Sequence, residues 1–122
     1  MKDKNRVNKV VVKKIIGYCN DIENIIGKFG NSLENFQKDF TFQYSCGMCI
    51  IQIGELTTRL TDDFKEKNSD IEWNQIKGLR NIYAHDYERV DFEEVWKILS
   101  QDIPELKEKL QKILEVAGEN FS

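Results

Sequence analysis

Between Asn5 and Phe29 the apolar residues Val7, Val11, Ile15, Tyr18, Ile22, Ile25 and Phe29 step by four and three, which predicts a long amphipathic helix. Gly30 fits its C-cap. Asn31-Ser32 supplies an N-cap for a short helical piece carrying Leu33 and Phe36, and Lys38 to Thr41 turns the chain, with Phe36 and Phe40 expected to cap the core. A second long helix is predicted from about Phe42 to Glu66, because Phe42, Cys46, Cys49, Ile53, Leu56, Leu60 and Phe64 repeat the stripe. Gly47 and Gly54 weaken helix propensity there by roughly 1 kcal/mol each relative to Ala, so a close helix approach is expected at both.

Lys67 to Asp70 reads as a loop into a third segment, Trp73 to Tyr87, where Trp73, Ile76, Leu79 and Tyr83 form the buried stripe. A helix start follows, with Asp91 as N-cap, Glu94 completing a capping box, and Val90 and Val95 placed for a hydrophobic staple. Phe92, Val95, Trp96 and Leu99 bury one face of that helix. Pro104 suits the first turn of a last helix with the stripe Leu106, Leu110, Ile113 and Ala117, which Gly118 is expected to end. The fold class is therefore all-α: an up-and-down bundle of four to five main helices plus one short helix, a single domain over residues 1–122.

Composition agrees, with 40% hydrophobic and 32% charged residues and one Pro. Met1 to Asn8 is polar and charged, and no apolar run approaches the roughly 20 residues of a membrane span, so no leader or membrane contact is expected and the cytoplasm is the expected compartment. The three Cys read as reduced thiols, with Cys46 and Cys49 on the apolar stripe as core rather than as a redox or zinc pair. The net charge of −3 argues against unselective nucleic-acid binding. Lys2, Lys4, Arg6, Lys9, Lys13 and Lys14 gather at one end against Asp3, which is either a basic patch for RNA phosphates or the solvated face of the first helix.

The chemistry concentrates in the third segment, which holds the only His together with Arg80, Asn81 and Tyr87. An imidazole moves protons near neutral pH and a guanidinium fork grips phosphate, a pairing suited to phosphodiester cleavage. Arg80 and His85 lie about 140° apart on an ideal helix, so they converge only if the helix loosens near Ala84 or the Arg reaches round. The plainer reading is a helix-end His with Arg80 in a surface ion pair. Glu55 is either the carboxylate that orients Arg80 or a surface acid.

Arg80-Asn81, three residues, His85, one residue and Tyr87, with Trp73 seven positions before the Arg, resembles the signature of the HEPN superfamily, specifically the HepT-like toxins. Ile53-Gly54-Glu55, the run from Tyr87 through Asp91 to Val95-Trp96, and Ile103-Pro104-Glu105-Leu106 continue the likeness, from about Phe36 to Leu110. The resemblance implies an all-α, metal-independent endoribonuclease toxin of a type VII (HEPN/MNT) toxin–antitoxin pair, without cofactor or metal. It implies Arg80 and His85 as catalytic residues, with Asn81 and Glu55 supporting them. It also implies a homodimer whose cognate antitoxin is a minimal nucleotidyltransferase that uses ATP to AMPylate Tyr87. The residues themselves leave Tyr87 a structural role, its ring against Trp96, and leave open a non-catalytic helical module that binds a nucleotide or a protein.

Overall fold

Helix α1 (Lys4–Phe29) is the amphipathic stretch expected from the four-three spacing, and its stripe buries Val11, Ile15 and Ile22 completely or nearly so. The computed structural model describes the backbone over residues 4–121 and the side chains over residues 4–116; Lys2 and Asp3 of the basic end and Ala117 of the last stripe fall outside those side chains. Gly30 stops α1 with φ +104, a left-handed conformation open to glycine, and the Asn35 amide nitrogen donates to the freed Phe29 carbonyl at 3.1 Å. Ser32 then caps α2 (Leu33–Lys38), accepting from the Asn35 backbone N–H at 3.0 Å.

The turn after α2 is a single residue. Asp39 accepts from the N–H groups of Thr41 and Phe42 and starts α3 (Phe40–Thr57) at once. Phe40 is consequently thrown outward, 67% exposed and edge-on to Tyr44, and does not cap the core as the sequence suggested. Phe36 does, fully buried within a cluster with Phe42, Phe92 and Trp96 that clamps α2 to the later helices.

The stripe from Phe42 to Phe64 packs inward as expected, but the helix beneath it is divided. Thr57 and Thr58 turn their hydroxyls onto the Gly54 and Glu55 carbonyls at 2.7 and 2.6 Å, and Thr61 caps a separate α4 (Asp62–Lys67). A long-range pair holds the break: buried Asn8 of α1 donates to Thr61 Oγ1 at 3.0 Å and accepts from the Thr61 N–H at 3.1 Å. This long-range clasp satisfies the Thr61 N–H that the interrupted helix leaves open.

α3 is the central element, packed on one side by α1 and on the other by α5 (Trp73–His85). It is buried on two faces, with Gln43, Gly47, Ile50, Gly54 and Thr57 forming the second. Gly47 and Gly54 mark the closest approach to α5: a Cβ at Gly47 would strike the Tyr83 ring, and one at Gly54 would strike Arg80 Cβ and Cγ. Close helix contact at both glycines is what their presence in a helix implied.

Beyond a 3₁₀ turn (Tyr87–Arg89), Asp91 accepts from the N–H groups of Glu93 and Glu94 and caps α6 (Phe92–Lys97). A π turn (Ile98–Asp102) runs straight into α7 (Ile103–Phe121), so Pro104 follows a widened turn rather than a loop. The wider spiral places a ring that lacks an N–H where a regular helix would clash with the carbonyl one turn back. Gly118 does not end α7, which continues to Phe121. The described residues form helices joined by short turns with no strand, an all-α bundle. No helix among them is long and apolar enough to cross a membrane.

Candidate active site

α5 is fixed at both ends. At its start Trp73 Nε1 donates to the carbonyls of Lys65 and Asn68 at 3.3 and 3.2 Å, tying it to the end of α4, and the indole leans on Phe64. Its end is the Asp86 N–H bonded to the Ile82 carbonyl at 2.9 Å, after which the chain tightens into the 3₁₀ turn closed by Val90 N–H to Tyr87 carbonyl at 3.1 Å. The Asp91 cap then pins the far side of that turn.

Three of the expected site residues meet. Arg80 forms an ion pair with Glu55 of α3, and its Nη1 donates to Asn81 Oδ1 at 2.7 Å. Gly54, next to Glu55, makes this possible, since the Arg80 stem lies on the bare glycine backbone. The pair is part-exposed, 26% for Arg80 and 42% for Glu55, so its net stabilisation is no more than about 1 kcal/mol. Its consequence is orientation: a long cation is held in one place. Arg80 Nε is buried and without a partner among the described residues.

His85 lies apart. It is exposed in the last turn of α5, which stays regular through Ala84, while Arg80 is drawn toward Glu55. The helix therefore does not loosen near Ala84, and the polar contacts of Arg80 are with Glu55 and Asn81. Asn81, one turn before His85, is also exposed.

Tyr87 folds back under the turn. Its ring contacts Tyr44, Tyr83 and Phe92 at centroid distances of 5.2, 5.7 and 5.9 Å, and Trp96 packs instead on Phe36 and Phe42. The Tyr87 hydroxyl donates to Gln43 Oε1 at 3.0 Å. Burial, and then Tyr44 beside it, hold this phenol above its ordinary pKa, so it keeps its proton at neutral pH. Tyr83 is likewise raised by burial, and its hydroxyl has no partner among the described residues.

Gln43 is a residue that periodicity passed over. It lies on the second face of α3, and a lone amide between Phe42 and Tyr44 in an apolar run was the available signal. The cysteines have no part in this site. Cys19, Cys46 and Cys49 are free and buried, their thiols pushed up to about 12, 12 and 11 by burial, and no cluster of possible metal ligands occurs among the described residues.

Concavities elsewhere do not include this chemistry. A groove of about 210 Å³ between α5 and α7, lined by Ile50, Ile53, Ile76, Leu79 and Leu106 among others, lacks Arg80, His85 and Tyr87.

The model of the HepT-like family, described as ribonuclease HepT-like, matches residues 15–113, which contain every one of these side chains. The chain belongs to the HepT-like ribonuclease family. Among its relatives is a protein provisionally named an RNase from Caldanaerobacter subterraneus subsp. tengcongensis, 33% identical over 86 residues, or 70% of this chain and 77% of the relative. Another, from Methanocaldococcus jannaschii and also provisionally named an RNase, is 29% identical over 107 residues, 88% of this chain and 87% of its own. A third, provisionally named ribonuclease HepT, from Thermococcus cleftensis, is 32% identical over 80 residues, 66% of this chain and 73% of its own. No solved structure matches the chain significantly.

Proposed function

We propose that this HepT-like chain is a metal-independent endoribonuclease, the toxin of a pair whose antitoxin is a minimal nucleotidyltransferase. The observation that carries the reading is the family match across a segment in which Arg80 is held by Glu55 and Asn81 and His85 stands free on the surface. Arg80 grips the scissile phosphate and neutralises the charge developing on it. His85 takes the proton from the ribose 2′-OH or delivers one to the leaving 5′-oxygen. The 2′-oxygen bonds to phosphorus, the bond from phosphorus to the 5′-oxygen breaks, and no metal is required.

One His per chain cannot be acid and base at once, and here no hydrogen bond or ion pair joins Arg80 to His85 among the described residues. A twofold homodimer answers both points by placing two copies of each across one cleft. An uncovered apolar face supports it: Phe40, Tyr44 and Met48 at successive turns of α3 are 67%, 56% and 59% exposed, and Ile82 of α5 is 40% exposed. Tyr87 is the acceptor that the partner AMPylates, and the added phosphate and base block RNA at the cleft. Incubation of RNA with the purified protein and with its His85→Ala variant tests the core of this reading. Cleavage by the wild type that survives EDTA and vanishes in the variant is the expected result.

The other reading, a non-catalytic helical module, draws on Arg80 already being neutralised by Glu55. It predicts nucleotide or protein binding with no RNA product at any protein concentration.

A further inference from the structure

Gln43 is buried, 6% exposed, on the face of α3 turned toward Tyr87. Both of its N–H donors and one of the two lone pairs of its oxygen are committed. Its Nε2 donates to the carbonyls of Phe36 and Gln37 at 2.8 and 3.2 Å, both in the last turns of α2, and Oε1 accepts from the Tyr87 hydroxyl at 3.0 Å. The two carbonyls settle which way the amide faces, because turning it over would set Oε1 against two other acceptors. With Oε1 so placed, the Tyr87 phenol has one role open to it, that of donor. Its proton points inward and its lone pairs point away from α3.

We propose that Gln43 is the positioning residue of Tyr87: it holds the hydroxyl with lone pairs outward for an incoming nucleoside triphosphate, and it releases the ring once that oxygen is esterified. The inference rests on the reading of Tyr87 as the modified residue. In the transfer the Tyr87 oxygen bonds to the α-phosphorus, the bond to the β-phosphate bridge breaks, pyrophosphate leaves, and the phenolic proton passes to solvent. The amide oxygen takes no proton, since it is a hydrogen-bond acceptor and too weak a base.

The product oxygen carries no hydrogen. It faces Gln43 Oε1 lone pair to lone pair, while Nε2, engaged with Phe36 and Gln37, cannot turn to meet it. A buried acceptor without a donor is disfavoured, and so the ring leaves. Tyr87 opens the 3₁₀ turn that follows His85, and that turn is closed by the Arg89 N–H to the Asp86 carbonyl and the Val90 N–H to the Tyr87 carbonyl. Modification thus loosens the segment beside the candidate catalytic histidine as well as adding bulk to it.

Two measurements on the full chain test this. Replacing the Tyr87 hydroxyl hydrogen by a methyl group, through a tyrosine methyl ether incorporated at that position, imitates the loss of the donor without any partner enzyme. Amide hydrogen exchange at Arg89 and Val90 is expected to speed by about tenfold, as the loss of one part-buried hydrogen bond implies, and to rise no further when Gln43→Met is added. Unchanged exchange in the ether overturns the release. The second arm supplies the cognate nucleotidyltransferase and ATP: Gln43→Met, which keeps length and packing, should lower kcat for AMP transfer about tenfold with the KM for ATP unchanged. Equal kcat in variant and wild type overturns the positioning role. If the wild type gains no AMP mass at all, it is the assignment of Tyr87 that fails, and the ether still decides whether Gln43 holds the turn.

Discussion

Gly54 of α3 lies directly against the stem of Arg80, so that a single methyl group at position 54 would occupy the space of Arg80 Cβ and Cγ. These are atoms next to the α5 backbone, not the flexible end of a side chain, and they cannot swing aside. The ion pair between Arg80 and Glu55 depends on this contact, because Glu55 follows Gly54 on the same helix.

Gly54→Ala therefore sets two effects against each other. Helix propensity improves by about 1 kcal/mol, while overpacking against Arg80 costs about 1–3 kcal/mol. The expected outcome is a net loss of stability in urea titration, with RNA cleavage reduced by roughly 10²-fold through displacement of the guanidinium. Gly78→Ala is the internal comparison. Nothing lies within 4 Å of a Cβ there, so the same change in α5 should stabilise by about 0.5–1 kcal/mol. Equal effects of the two substitutions would show that the contact with Arg80 has no consequence.

His85→Ala and Arg80→Ala are each expected to lower cleavage by roughly 10²- to 10⁴-fold. His85 is exposed, so its removal should leave the urea midpoint within experimental error of wild type. Arg80→Ala leaves Glu55 without its cation, at a cost of no more than about 1 kcal/mol for so exposed a carboxylate. Cleavage by the wild type is expected to be unchanged in excess EDTA, and its loss there would overturn the metal-free reading.

The exposed apolar turn of α3 supplies a test of association. Met48→Glu places a carboxylate on the Phe40, Tyr44, Met48 face, where 59% of Met48 is open to solvent in the single chain. Light scattering should then fall from about twice 14.4 kDa to a single chain's mass, with cleavage lost in parallel. A monomer that still cleaves RNA would refute a shared cleft.

Alkaline pH should unfold the protein through its cysteines. Cys19 and Cys46 rise from 9.0 to about 12 and Cys49 to about 11 on burial, so the unfolded chain releases these protons first. The stabilisation is fully present below pH 9.0 and is lost as pH climbs toward the folded values of about 11 to 12. The urea midpoint is expected to fall steadily above pH 9.0, and replacing Cys46 by Ala should flatten part of that slope at the expense of a small cavity. A midpoint independent of pH over this interval would show that the thiols are not buried as described.

Much of the local architecture was legible in the chain because it is set by neighbours in sequence. Val11, Ile15 and Ile22 declare their face by spacing, Ser32 and Asp91 bond to N–H groups two and three residues on, and Gly30 takes the one backbone angle that favours it. Gly47 and Gly54 announced a close neighbour, since nothing else justifies them in a helix. The segment from Arg80 to Tyr87 was equally visible as the stretch that gathers Arg80, Asn81, His85 and Tyr87.

What periodicity cannot express is which partner a face meets. The break at Thr58 to Thr61 depends on Asn8, 53 positions away, and a stripe of buried residues reads the same across a divided helix as along a whole one. Phe40 is as apolar as Phe36, yet one residue of turn sends it outward. Gln43 carried no spacing signal at all, because its role comes from two carbonyls of α2 and one hydroxyl 44 positions on. The reach of Arg80 was hidden for the same reason: helical geometry sets its angle to His85, and a carboxylate on another helix decided where the long cation is held. Contacts within a turn of helix follow from the order of residues, whereas contacts between helices depend on how whole surfaces fit, and the residues that settle them lie far apart in the chain.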